Sequence, residues 1–224
     1  MDETPALLAA FGAGFCSSIS PGVAPLLPAF AGFARNRGPW QLIVFLCGFS
    51  LIFITLGASA TAPGQALLEH LVVFEAAAGV FLIVVGLRGL GMRGLTRSAG
   101  ADTGVEPATP GTLLVAFLAG AALMFGWTPL AGVVLARILA LATSADTLGP
   151  GVTLLTAYAS GRALSLLALG LAHNAALRFA LPRSAHGRRL DTIPGALVAL
   201  SGLLIVTHAF PFIAAALADF LPLF

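Results

Sequence analysis

At 224 residues, with 58% of positions hydrophobic, 9% charged and a mean hydropathy of +1.01, the chain has far fewer charges than the roughly one quarter of an ordinary soluble domain, which excludes a disordered chain and a soluble enzyme with a charged shell. The formal net charge of +2, from 11 basic and 9 acidic residues, is too sparse for a nucleic-acid-binding surface. The two cysteines, Cys16 and Cys47, lie in apolar stretches with no CxxC pair or Cys/His cluster, so no disulfide scaffold, zinc site or other cofactor is expected, and the lipid bilayer is the first partner.

A hydrocarbon core about 30 Å thick is crossed by about 20 apolar residues of helix, and six runs qualify. The first, Pro5 to Phe33, follows the acidic Asp2 and Glu3 with no basic residue, unlike a cleaved secretory signal. It contains Pro21, Pro25 and Pro28, which should break or bend it, because each proline removes a backbone donor and crowds the carbonyl four residues back. The second, Trp40 to Thr61, opens on an interfacial anchor, Trp40. The third, Leu68 to Leu87, carries Glu75, Gly79 and Gly86. Residues 88 to 111, with Arg93, Arg97, Asp102, Glu106, Pro107 and Pro110, form a solvated loop. The fourth run, Thr112 to Thr143, contains Trp127-Thr128-Pro129-Leu130 and Arg137; the fifth, Val152 to Leu171, contains Arg162; the sixth, Ile193 to Ala215, contains Gly195 and Gly202.

Nine of the 11 arginines fall in the first, third and fifth connections: Arg35 and Arg37; Arg88, Arg93 and Arg97; Arg178, Arg183, Arg188 and Arg189. The even connections and the ends have none. The positive-inside rule then places both termini outside the cell.

The runs also repeat. Prolines interrupt the first and the fourth at Pro21 and Pro129, and Gly79 and Gly86 of the third match Gly195 and Gly202 of the sixth at the same seven-residue spacing. Three crossings per half put the halves in opposite orientations, so the expected fold is an all-α inverted repeat of three plus three helices. Repeat one covers about 5–87 and repeat two about 112–215 of a single transmembrane domain. In such folds the working site lies near the midplane, where interrupted helices meet, and freed backbone groups must face the interior.

Ser20-Pro21-Gly22-Val23-Ala24-Pro25-Leu26-Leu27-Pro28 and Gly126-Trp127-Thr128-Pro129-Leu130 resemble the first- and fourth-helix motifs of the cytochrome c biogenesis membrane proteins, the CcdA family, and the similar transmembrane domain of the DsbD thiol reductases. The resemblance extends over the whole chain and implies a multi-pass protein of the prokaryotic inner membrane. It further implies electron transport by thiol-disulfide exchange from cytoplasmic thioredoxin to a thioredoxin-like partner outside. In that family a cysteine follows the proline of each motif. Here Gly22 and Leu130 occupy those two catalytic positions, and exchange requires a thiolate attacking a disulfide. The replacements fit an engineered variant or a natural paralogue that kept the scaffold. Arg137, Arg162 and Val133, which also depart from the family pattern, favour the paralogue.

Three further features stand beside that resemblance. Cys16 and Cys47 read as small buried apolar residues; a bridge between them needs Cα atoms within about 7 Å. Arg162, near the centre of the fifth run, costs at least ~2.5 kcal/mol in hydrocarbon unless it faces a cavity, a partner or an anion. Glu75 is the expected partner of Arg137. Arg162 therefore opens an alternative, a small-solute or anion transporter using the broken-helix site, against a second reading in which Arg162 clamps freed carbonyls. The four histidines read as interfacial polar residues and the many glycines as places of close helix approach.

Overall fold

The computed structural model describes residues 4–18, 27–34, 37–59, 61–90, 108–125, 138, 140, 148–180 and 192–209. Among these the fold is all helical: α1 (Thr4–Ser17), α2 (Leu27–Ala34), α3 (Pro39–Gly57), α4 (Ala62–Glu69), α5 (Leu71–Gly89), α6 (Pro110–Phe125), α7 (Leu148–Ala180) and α8 (Thr192–Val206). Three are long and apolar enough to cross a membrane: Pro39–Gly57, Leu71–Gly89 and the Leu148–Ala176 part of α7; α1, α6 and α8 are apolar but shorter.

Local chemistry sets several ends. α3 starts after the extended Gly38, with Pro39 where a missing N–H costs nothing. The buried Gln41 reaches back one turn, its Oε1 accepting from the Gly38 N–H at 3.0 Å. α4 starts on Thr61, whose Oγ1 accepts from the Gly64 N–H at 3.2 Å. α8 ends in a Schellman motif: the Ala209 N–H donates to the Leu204 carbonyl at 3.0 Å and the His208 N–H to the Ile205 carbonyl at 3.1 Å. The residue at the left-handed position is His208, at φ 51°, where glycine is usual and another side chain costs about 1–2 kcal/mol.

Helices in a bilayer gain little by burying apolar surface against each other, so close backbone approach at small residues holds them together. Three crossings do this with glycines on both helices. A methyl on Gly14 of α1 would meet the Tyr158 carbonyl of α7, and one on Gly161 of α7 would meet the Phe11 carbonyl of α1. Between α3 and α6, Gly48 faces the Phe117 carbonyl and Gly120 the Phe45 carbonyl. Between α5 and α8, Gly79 faces Gly202 while Gly86 faces Gly195 and Ala199, a register that makes these two helices antiparallel.

α7 runs in the same direction as α1 and α2. Its Tyr158 lies against Gly14, and 16 residues later, about 24 Å along a helix, the Asn174 Nδ2 donates to the carbonyls of Ala34 (2.9 Å) and Arg37 (3.1 Å). The two short helices thus lie in succession along one long helix. Phe30, Phe33 and Phe45 form the aromatic centre of the core, with Phe33 and Phe45 stacked at 4.5 Å. Val72, Val73, Val80 and Val84 of α5 point outward, as lipid-facing residues do.

The structure departs from the sequence expectations in several places. The first run is two helices, with Pro28 in the first turn of α2, where a proline breaks no helical bond. α7 extends past Leu171 to Ala180, taking Arg178 into the helix; hydropathy locates the apolar stretch, whereas the end of a helix follows its backbone partners. Residues 62–67, expected in a connection, form α4 together with Leu68 and Glu69, expected to open the third run. Trp40 is exposed at the start of α3, as expected of an anchor. Cys16 and Cys47 are free and exposed on the outer faces of α1 and α3, not buried, because the packed faces of those helices are taken by Gly14 and by Phe45, Gly48 and Phe49.

Candidate functional site

The distinctive chemistry lies at the end of α1. Gly161 turns its bare face to α1, and the next residue, Arg162, points towards α3. The Arg162 side chain is 2% exposed, and its Cζ stands 5.9 Å from the ring centroids of Phe49, Phe53 and Tyr158, within reach of the rings' negative faces. Phe53 and Tyr158 are themselves stacked at 5.9 Å. The aromatic cage follows from spacing: Phe49 and Phe53 are one turn apart on α3, as Tyr158 and Arg162 are on α7.

Ser18 is the second polar group here. Buried at 3% exposure, its Oγ has no hydrogen-bond partner among the described residues. It stands one turn beyond Gly14, as Arg162 stands one turn beyond Tyr158, on two helices that touch at Gly14–Tyr158 and Phe11–Gly161. α1 ends one turn past Gly14, with the Ser17 Oγ donating to the Gly14 carbonyl at 2.7 Å.

A small apolar recess lies elsewhere, where α2, α3, α5, α6 and α8 meet, lined by Phe33, Phe45, Leu82, Leu123, Val198 and Ser201 among others. Its one hydroxyl, Ser201, donates to the Val198 carbonyl at 2.8 Å, which leaves the recess without a polar group for chemistry.

Of the residues singled out in the sequence, Ser20, Pro21, Gly22, Pro25, Trp127, Thr128, Pro129, Leu130 and Arg137 lie outside the described residues. Arg162 is buried in the core as its cost in lipid requires. Glu75 has a partner the sequence reading missed: its Oε2 lies 3.3 Å from the Nδ1 of His208. The signal for that pairing was the match of Gly79 and Gly86 with Gly195 and Gly202, which brings α5 and α8 together. Asn174 was also missed; an amide in an apolar stretch needs partners, and it finds them on α2. Among the described residues no cluster of three or more His, Cys, Asp or Glu side chains could hold a metal ion.

No family model matches the chain. Two named sequences resemble it along nearly their whole length. One, named a putative cytochrome c-type biogenesis protein, from Haemophilus influenzae, is 29% identical over 94% of this chain and 99% of its own. The other, named cytochrome c-type biogenesis protein CcdA, from Halalkalibacterium halodurans, is 30% identical over 95% of each chain.

Proposed function

This chain belongs to the CcdA family of cytochrome c-type biogenesis membrane proteins, and we propose that it keeps the family's scaffold while lacking the two-cysteine relay of thiol-disulfide exchange. The observation that carries the proposal is the occupancy of two positions, Gly22 and Leu130, where the family motifs have cysteine. The thiols that remain, Cys16 and Cys47, sit free on the outer faces of their helices and at other positions of the sequence.

The scaffold in this reading is one transmembrane domain of six crossings, the first made of α1 and α2, arranged as an inverted repeat with both termini outside a prokaryotic cell membrane. The three glycine crossings support it. An exchange of first with fourth, second with fifth and third with sixth crossings carries Gly14–Tyr158 onto Gly120–Phe45, Phe11–Gly161 onto Phe117–Gly48, and Gly79–Gly202 onto Gly195–Gly86. A self-paired third and sixth crossing must be antiparallel in such an arrangement, and α5 and α8 are. The arginine asymmetry supports the orientation. By this reading the physiological partners are those of the family, cytoplasmic thioredoxin and an extracytoplasmic thioredoxin-like protein, met by a chain unable to pass electrons between them.

The experiment restores the missing pair. In a background with Cys16→Ala and Cys47→Ala, the Gly22→Cys/Leu130→Cys chain should accept electrons from reduced thioredoxin, whereas the native chain should not. A restored chain that stays inert would mean that more than the cysteines has been lost. The buried Arg162 beside the end of α1 supports a second reading, a small-anion transporter with Arg162 as the binding charge. Anion uptake into proteoliposomes should then disappear with Arg162→Ala; uptake that survives the substitution counts against it.

A further inference from the structure

The glycine crossings sort the helices into pairs that cut across the two halves of the chain. At α1–α7, α3–α6 and α5–α8 a glycine of each helix lies against the backbone of the other. These are also the most extensive helix contacts among the described residues. The residues on either side of each such glycine carry side chains, so a slide of one position drives a Cβ into backbone that cannot step aside. Contacts between one pair and the next are made by side chains instead. α2, which Asn174 ties to α7, meets α3 through Phe30, Phe33 and Phe45. α7 meets α3 through Tyr158 and Phe53, and α5 meets α6 through Phe74 and Phe125, stacked at 6.2 Å. Gly170 of α7 makes the contrast plain: a methyl there would meet the Phe30 ring at 3.1 Å and a Leu42 methyl at 3.3 Å, the movable ends of side chains.

We propose that the mechanical units of this fold are the clamped pairs, α1–α7 with α2 attached, α3–α6 and α5–α8, and that they shift against one another at their side-chain contacts. The apolar recess lies where the units meet, lined by Phe33 of α2, by Phe45 and Leu123 of the α3–α6 pair, and by Leu82 and Val198 of the α5–α8 pair. In a close-packed interior side chains change rotamer only into free volume, and the recess supplies it at the junction. Each unit takes helices from both proposed repeats. The repeats themselves are therefore not the moving bodies, in contrast to folds in which one repeat rocks against the other. The crossings alone carry this partition, which is independent of whether the cysteine relay is absent.

The test is pulsed electron paramagnetic resonance on the spin-labelled full chain in proteoliposomes, in a Cys16→Ala/Cys47→Ala background, with labels at outward-facing positions. Val80→Cys/Leu203→Cys joins α5 to α8, within one clamped pair and across the two repeats. Leu51→Cys/Val80→Cys joins α3 to α5, within one repeat and across two units. Val73→Cys/Val84→Cys, on α5 alone, gives the width of a rigid helix. The α5–α8 distance distribution should be as narrow as that of the single helix, and the α3–α5 distribution broader than both. An α3–α5 distribution as narrow as the single helix, or an α5–α8 distribution as broad as that of α3–α5, would overturn the proposal. A further arm tests the clamp itself: Gly48→Ala should displace or broaden the Leu51→Cys/Leu118→Cys distance between α3 and α6 while leaving α5–α8 unchanged. An α3–α6 distance indifferent to the added methyl would equally overturn it.

Discussion

Replacing Asn174 with alanine should release α2 from α7. The Asn174 side chain is buried and its Nδ2 donates to two carbonyls, those of Ala34 at 2.9 Å and Arg37 at 3.1 Å. Both lie at or just past the end of α2, where carbonyls run short of helical N–H partners, although the Ala34 carbonyl also accepts from the Arg37 N–H. The buried Ala34 carbonyl keeps that second donor, the Arg37 N–H at 3.1 Å, so losing Asn174 removes the net worth of one bond there, about 0.5–1.5 kcal/mol. The half-buried Arg37 carbonyl can rehydrate, and there only the net worth of a bond, about 0.5–1.5 kcal/mol, is lost. Together these give about 1–3 kcal/mol, or a fall of about 2–12 °C in thermal midpoint at about 2–4 °C per kcal/mol for a chain of this size. Asn174→Asp makes the test specific, since a carboxylate has the same shape but accepts rather than donates and should lose at least as much. Thermal unfolding in detergent, followed by circular dichroism, reads both. An aspartate variant as stable as the native chain would show that donation to α2 is not what holds the two helices, and would refute the reasoning.

Gly120→Ala or Gly48→Ala should each cost about 1–3 kcal/mol, because the new methyl meets a backbone carbonyl that cannot step aside. Gly12→Ala is the control: nothing lies within 4 Å of that site, and alanine's better helix propensity should leave the midpoint unchanged or raised. Cys16 and Cys47 should both be alkylated by a membrane-permeant maleimide in the unfolded and the folded protein without prior reduction; protection of either until a reductant is added would contradict their placement.

Much of the fold was legible because a bilayer imposes a simple rule on composition. The apolar runs located α3, α5 and the middle of α7, and the glycines read as places of close helix approach include those at the α5–α8 crossing, although their shared spacing was read as a repeat and not as a contact. Less visible were features that depend on who faces whom. Hydropathy cannot separate a cysteine on a lipid-facing stripe from one on a packed stripe, since both neighbourhoods are apolar, and so Cys16 and Cys47 were misplaced. The cost of burying Arg162 was readable, but the cage of Phe49, Phe53 and Tyr158 required the relative rotation of α3 and α7. His208 near Glu75 was passed over because a search for charged partners does not reach a histidine at a helix end; Arg137, the partner expected for Glu75, lies outside the described residues. Asn174 stood in plain view as an amide in an apolar run, and its partners lie 137 and 140 residues away.

The central claim is that a CcdA-family chain here works without its redox pair. Mixing the native protein in proteoliposomes with reduced thioredoxin, then quenching with acid and alkylating all thiols, tests it directly. The account predicts no loss of thioredoxin thiols and no mixed disulfide with this chain, since Gly22 and Leu130 offer no sulfur to attack. Thioredoxin oxidised in step with the amount of protein, or a trapped thioredoxin adduct on Cys16 or Cys47, would contradict it.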